Sequence, residues 1–156
     1  MSIEKVRAHF KTLGIEDKIL EFDTSSATVE LAAAALGCEP KHIAKTMGFL
    51  VADSAILICT AGDAKVDNHK FKEKFHTKLK MIPFDEIENY VGHKAGGVCP
   101  FAVIEGVDVY LDISLKRFEI VYPAAGSDNS AVRLTLDELE KYSNAIEWID
   151  VCKNWE

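Results

Sequence analysis

Two apolar runs lying close together constrain this chain more than anything else in it. Residues 43–51 read IAKTMGFLV and residues 55–61 read AILICTA, with Ala52, Asp53 and Ser54 between them. Short apolar runs rich in β-branched residues and broken by turn formers predict a β-hairpin or a close strand pair. Side chains alternate along a strand, so Ile43, Lys45, Met47, Phe49 and Val51 share one face and Ala44, Thr46, Gly48 and Leu50 the other. Neither face is polar, which implies a strand covered on both sides and therefore a layered domain. Lys45 is the anomaly on that strand. Its ammonium either snorkels to the surface from a strand end or sits at the rim of a pocket, waiting for an anionic ligand such as phosphate.

The flanking sequence supplies the other elements. Ser2 can cap a helix whose Ile3, Val6, Phe10 and Leu13 form one stripe, with Gly14 to end it. A short extended run follows at 18–22. Thr28 can cap an alanine-rich helix through Leu36, with Gly37 as its stop, and Pro40 opens a short helical turn into Ile43. Asp67 or Asn68 can cap a helix carrying Phe71 and Phe75, and Asp85 another running to Val91. Beyond a glycine-rich loop at 92–100 come FAVI at 101–104, the alternating VDVYLDI at 107–113, and EIVY at 119–122. Thr135 and Glu138 form a capping box for a helix through Tyr142, and a last strand is expected near 146–149. The expected fold is α+β, a mixed six-stranded sheet or barrel with peripheral helices. At 156 residues, without linker or repeat, residues 1–156 are expected to form one domain.

Composition removes several classes of function. Residues 1–14 carry Glu4, Lys5, Arg7 and Lys11 and no apolar run, so no secretory signal is expected there. No stretch approaches the roughly 18 apolar residues of a membrane span, and a cytoplasmic protein is expected. Cys38, Cys59, Cys99 and Cys152 show no C-x-x-C pair and read as reduced thiols. The histidines lack metal-ligand spacing, so neither metal nor cofactor is expected. The formal net charge of −7 disfavours a general nucleic-acid binder and DNA as a partner. The charge is unevenly spread, however. Residues 65–80 hold six lysines against Asp67 and Glu73, while 137–156 hold six acids against Lys141 and Lys153. Lys70, Lys72 and Lys74 are thus candidate contacts to nucleic-acid phosphates, which in the family resemblance below would be those of tRNA, or else a solvated helix face.

Two further segments could carry chemistry. In His93-Lys94-Ala95-Gly96-Gly97-Val98-Cys99-Pro100, glycines can present successive N–H groups to an anion or carbonyl oxygen and proline fixes the exit, as an oxyanion site requires. The same composition also suits a plain turn, and the phosphate-loop and dinucleotide spacings are absent. Within it, Cys99 activated by His93 is a possible nucleophile for an ester. The segment Ala124-Ala125-Gly126-Ser127-Asp128-Asn129-Ser130 is either a loop or the wall of a pocket for a small polar substrate.

Taken in order, Lys45-Thr46, G-G-V-C-P-F at 96–101, A-A-G-S-D-N at 124–129 and L-T-x-x-E-L at 134–139 resemble the YbaK/EbsC family of aminoacyl-tRNA deacylases associated with prolyl-tRNA synthetase. The resemblance covers roughly residues 3–142. It implies a trans-editing enzyme, metal-independent and cofactor-free, that hydrolyses the ester of mischarged tRNA(Pro) carrying Cys, Ala, Ser or Thr. Its partners would be the tRNA 3′ acceptor end and prolyl-tRNA synthetase, with no membrane involved. It implies that Lys45 binds the terminal nucleotide and that Gly96, Gly97, Val98, Cys99 and Pro100 offer backbone amides to the ester carbonyl. Thr46, His93, Ala125, Gly126, Ser127 and Asn129 would help shape the substrate pocket. Two departures concern substrate choice: Leu20-Glu21-Phe22 stands where some members carry tyrosine, and Lys45-Thr46 stands where alanine-directed members carry K-N. The pattern is closer to the stand-alone branches acting on cysteinyl, seryl, threonyl or alanyl esters. The alternative is a non-catalytic module that binds the tRNA acceptor end or a synthetase.

Overall fold

The structure, a computed structural model, describes residues 2–155, of which Ser2 by backbone only, so the cap expected of Ser2 lies outside the described residues. In chain order the elements are α1 (Ser2–Thr12), β1 (Ile19–Glu21), α2 (Val29–Leu36), β2 (Ile43–Val51), β3 (Ser54–Ala61), β4 (Lys65–Val66), α3 (Asn68–Phe75), α4 (Ile87–Val91), β5 (Asp108–Asp112), β6 (Ile120–Pro123), β7 (Ser130–Val132), β8 (Leu134–Thr135), α5 (Leu136–Ser143), β9 (Glu147–Ile149) and β10 (Cys152–Lys153). The apolar hairpin is the centre of everything else. Val51 faces Ser54 across a two-residue turn, with Ala52 and Asp53 both at positive φ, and the antiparallel register runs back to Ala44 opposite Ala61. Turns of this left-handed kind match the twist of the strands they join.

Around that hairpin a six-stranded mixed sheet is built in the order β8-β6-β2-β3-β5-β9. The β2–β6, β3–β5 and β5–β9 pairs are parallel, and β6–β8 is antiparallel. β8 and β9 do not pair, so the sheet curls without closing into a barrel. Two short antiparallel pairs, β1–β7 and β4–β10, lie outside it; β1 falls in the extended run expected at 18–22, whereas β4, β7 and β10 are not visible as apolar runs in the sequence.

Both faces of the hairpin are covered, as its composition requires. On one face Phe49 meets Phe71 of α3 with ring centroids 5.2 Å apart, and Phe71 meets Phe75 at 4.7 Å. On the other, Leu50, Ala55 and Leu57 join Ile82, Ile87, Val91 and Val109. Each such aliphatic or aromatic side chain contributes about 1.5–3 kcal/mol on leaving water, which is ample reason for the layers to stay together. α1 buries Val6 and Phe10 completely, Phe10 edge-on to Phe101 at 5.1 Å.

Local signals set the helix ends. The Thr28 hydroxyl accepts from Leu31 N–H at 3.2 Å, Gly37 closes α2 at φ +72°, Asp67 accepts from Lys70 N–H, and Thr135 and Glu138 form their reciprocal box.

Three expectations need correction. FAVI is not a strand: Ala102 sits at φ 52° and Phe101 serves as a core plug instead of a ladder residue. Asp85 does not cap α4, because Glu86 N–H turns back to Pro83 O and the helix starts only at Ile87. Leu13 lies beyond the last turn of α1 and is 41% exposed, outside the buried stripe.

Candidate functional site

The sheet leaves a gap along one edge of β2. β6 pairs with β2 only at Ile43 and Ala44, whereas the segment around Met81 takes up the same edge further along. There Ile82 N–H donates to Gly48 O at 3.0 Å and Leu50 N–H donates to Lys80 O at 2.9 Å. In an antiparallel strand the N–H and C=O of one residue point to the same side and alternate from residue to residue. Even-numbered residues of β2 therefore turn their peptide groups away from β3, and those of Thr46 face the gap with no backbone partner among the described residues.

A cavity of about 520 Å³ opens at this gap. Its lining comes from four directions: Ser26 to Val29 and Ala32 around the start of α2, residues 43–48 of β2, the Met81 to Phe84 segment with Ile87, and Ala95, Gly96 and Val98 with Tyr122, Ala124, Ser130 and Ala131. Small residues keep it open. A Cβ on Gly48 would come within 2.6 Å of Ile87 Cδ1 and 2.9 Å of Ile82 Cδ1. The lining contains no Asp, Glu, His or Cys; its ionisable side chains are Lys45 and Tyr122.

Lys45 is half-buried, and its ammonium has no ion pair or hydrogen bond among the described residues. Loss of water around it holds its pKa below the ordinary lysine value, and Cys152, Asp63 and Glu30, none of which pairs with it, offset part of that loss. A desolvated cation without a counter-ion is costly, so an anion entering the cavity would gain by supplying one.

The glycine loop meets the same cavity through Gly96 and Val98. Gly96 has φ +90°, a conformation that side chains rarely adopt. Gly97 lies against the 124–130 segment: an added Cβ would stand 2.8 Å from the backbone N and Cα of Ser127. The two loops singled out in the sequence thus touch backbone to backbone. Gly97 N–H donates to Lys94 O at 3.0 Å, which removes it from the set of available donors, while Gly96 and Val98 N–H have no partner among the described residues.

The remaining expected residues lie behind this surface. Cys99 is fully buried and its thiol is pushed up to about 12 by loss of solvent. His93 is fully buried too, and burial lowers its pKa. Its Nε2, 2.7 Å from Phe101 O and 3.5 Å from Cys99 Sγ, must carry the proton to donate to that carbonyl, so the nitrogen facing the sulfur has no lone pair with which to activate it. The pair fastens the loop exit and does not reach the cavity. Pro100, Ala125, Gly126 and Ser127 are buried. The Ser127 hydroxyl is hydrogen-bonded within its own loop, 2.9 Å from Asn129 Oδ1 and 2.7 Å from Ser130 Oγ, and Asn129 Nδ2 donates to Phe22 O. These residues hold the wall, and their neighbours Ala124, Ser130 and Ala131 form its surface.

Of the α3 lysines, Lys70 binds Asp150 and Cys152 O, and Lys74 binds Glu147. The acidic C-terminal region therefore occupies two of the three cations proposed for tRNA and leaves Lys72 exposed. Sequence reading missed the Ser26 to Val29 stretch and the Met81 to Phe84 segment. Neither carries a motif, and only the folding of the chain against β2 brings them to the site.

A curled mixed sheet around an open cavity, lined by Lys45 with no ion pair among the described residues and by a glycine loop, defines a small α+β domain with a pocket at the edge of its central hairpin. Comparison with known proteins sharpens this: the chain belongs to the aminoacyl-tRNA editing domain family, which matches residues 23–142. It is a YbaK-type member, 27% identical with TM-score 0.87 over 97% of both chains to a crystal structure proposed to be a trans-editing enzyme for prolyl-tRNA synthetase. It is 49% identical over the full length of both chains to the uncharacterised protein YwhH of Bacillus subtilis strain 168. It is also 29% identical over 90 residues, 57% of this chain and 16% of the relative, to a proline–tRNA ligase of Bacillus pumilus strain SAFR-032.

Proposed function

We propose that residues 1–156 act as one cytoplasmic trans-editing domain that hydrolyses the ester of mischarged tRNA(Pro) carrying cysteine, alanine, serine or threonine, alongside prolyl-tRNA synthetase. The observation that carries this reading is the cavity itself. It is lined by Lys45, whose ammonium has no ion pair among the described residues, and by Gly96 and Val98, whose N–H groups have no partner among them, and its lining offers no carboxylate, imidazole or thiol.

Such a site can bind and polarise an ester but cannot supply a strong base or nucleophile, so the substrate must contribute one. Lys45 takes a phosphate oxygen of the terminal nucleotide and fixes the acyl group against the 96–100 loop. Water attacks the carbonyl carbon, and the N–H groups of Gly96 and Val98 receive the developing oxyanion. A hydroxyl of the terminal ribose relays the water's proton to the departing ribose oxygen. The acyl C–O bond then breaks, leaving a free amino acid and an intact diol. Oxyanion donors of this kind are each worth about 3 kcal/mol, and positioning an already activated ester supplies much of the rest. No metal is required.

The test is a panel of aminoacyl-tRNA(Pro) species incubated with purified protein, with and without a chelator. Hydrolysis of the mischarged esters, unaffected by chelator and strongly slowed when the neighbouring ribose hydroxyl is removed, is the expected result. Protection of the ester from spontaneous hydrolysis would mark a pure binder and overturn the assignment.

A further inference from the structure

The proposed chemistry leaves one part of the cavity unexplained. Phe84 is 81% exposed and Met81 53% exposed, the two most exposed of the large apolar side chains at the cavity, and both stand on its lip. Neither is loosely held. Ile82 N–H donates to Gly48 O at 3.0 Å, Met81 bridges to Phe49, and Glu86 N–H closes a turn onto Pro83 O at 2.9 Å, so Phe84 is displayed at the tip of a turn anchored to β2. An aromatic ring left in water beside a cavity, on a backbone held in this way, is a ready partner for another flat, apolar face.

Resting on the editing reading, we infer that Phe84, flanked by Met81, is the platform on which the 3′-terminal base of the tRNA stacks while Lys45 holds its phosphate. The charges on either side give the strand a direction. Lys78 and Lys80 precede Met81, are exposed and make no ion pair among the described residues, whereas Asp85 and Glu86 follow Phe84. Phosphates are attracted to the first side and repelled from the second, so the incoming backbone runs along the lysines. From Lys45 to Gly48, where the platform's segment joins β2, the strand advances about 10 Å, a span on the scale of one nucleotide. One ring and one thioether are too small a patch for a stable protein interface, which needs several hundred Å² on each side, but they suit a single base.

The probe is an acceptor-stem RNA hairpin with 2-aminopurine as its last base, joined to alanine through a non-hydrolysable amide. Binding to the native protein is expected to quench the 2-aminopurine fluorescence. Phe84→Ala is expected to remove the quench and weaken binding about tenfold, with Phe84→Tyr retaining both. Lys80→Ala is expected to weaken binding and flatten its salt dependence while leaving the quench of the bound state intact. An unchanged quench and affinity in Phe84→Ala overturns the platform, as does an effect of that variant seen only when prolyl-tRNA synthetase is present, which would assign the patch to protein docking. Native protein that quenches the probe yet hydrolyses no mischarged tRNA would sink the hydrolase reading and leave the platform standing.

Discussion

The chain contains two places that look like chemistry, and they are opposites. His93 and Cys99 lie 3.5 Å apart and resemble a nucleophile with its base, yet both are fully buried, and the shared proton is committed to Phe101 O. Lys45 stands without a partner among the described residues on a central strand, yet it meets the cavity where the sheet is incomplete. Reactivity follows access and available lone pairs, not the list of residue types. A thiol pushed up to about 12 is a packing group, and an ammonium denied its counter-ion is an invitation to a ligand.

The largest effect that could break this contrast is at Lys45. Replacing it with alanine or methionine is expected to cut deacylation at least a hundredfold with the fold unchanged by circular dichroism, and the methionine variant is expected to melt no lower than the native protein. Removing a desolvated, unpaired charge relieves the fold while it disables the site. Retention of near-native turnover would reverse the comparison.

The pH profile is the next sharpest probe. The pKa of Lys45 lies below the ordinary 10.5, so the native state loses this proton before the unfolded chain does. Between those two values stability should rise with pH, because the unfolded chain binds the extra proton, while activity falls as the ammonium disappears. Melting and turnover measured across that alkaline window should move in opposite directions, and in Lys45→Met the stability trend should vanish.

Gly97→Ala is expected to lower activity about ten- to hundredfold and to reduce the melting temperature, because its Cβ would drive the loop from the Ser127 backbone. Cys99→Ser should give the smallest change in turnover, within a few-fold of native. Its cost should appear as about 1–2 kcal/mol of stability in denaturant, since a hydroxyl replaces a buried thiol. Near-complete loss of turnover in a folded Cys99→Ser protein would restore the nucleophile and demote Lys45.

Much of this architecture is legible in the sequence, because it is written in local patterns. The 43–61 hairpin, the caps at Thr28, Asp67 and Thr135 and the alternating strand at 107–113 rest on periodicity and capping chemistry within a few residues. FAVI was misleading because a short apolar run reads alike whether it ladders or plugs a core. The extended run at 18–22 marks β1, but its partner β7 and the β4–β10 pair are strands of two or three residues brought together across long stretches of chain, which leave no periodic trace. At the site, Lys45 is conspicuous as a charge on an apolar strand, and the 96–100 loop through its glycines. Phe84 is not, since an exposed phenylalanine and a buried one look the same until the turn that displays it is known.

The missing rung between β6 and Met81 has an evolutionary consequence. A peptide bond cannot be mutated away, so the Thr46 main-chain groups left facing the cavity persist in every descendant of this chain. The side chains around it, Ala27, Ala124, Ala131 and Met47, are free to drift. On the proposed editing function, lineages would exchange one acyl preference for another while this part of the pocket stayed the same.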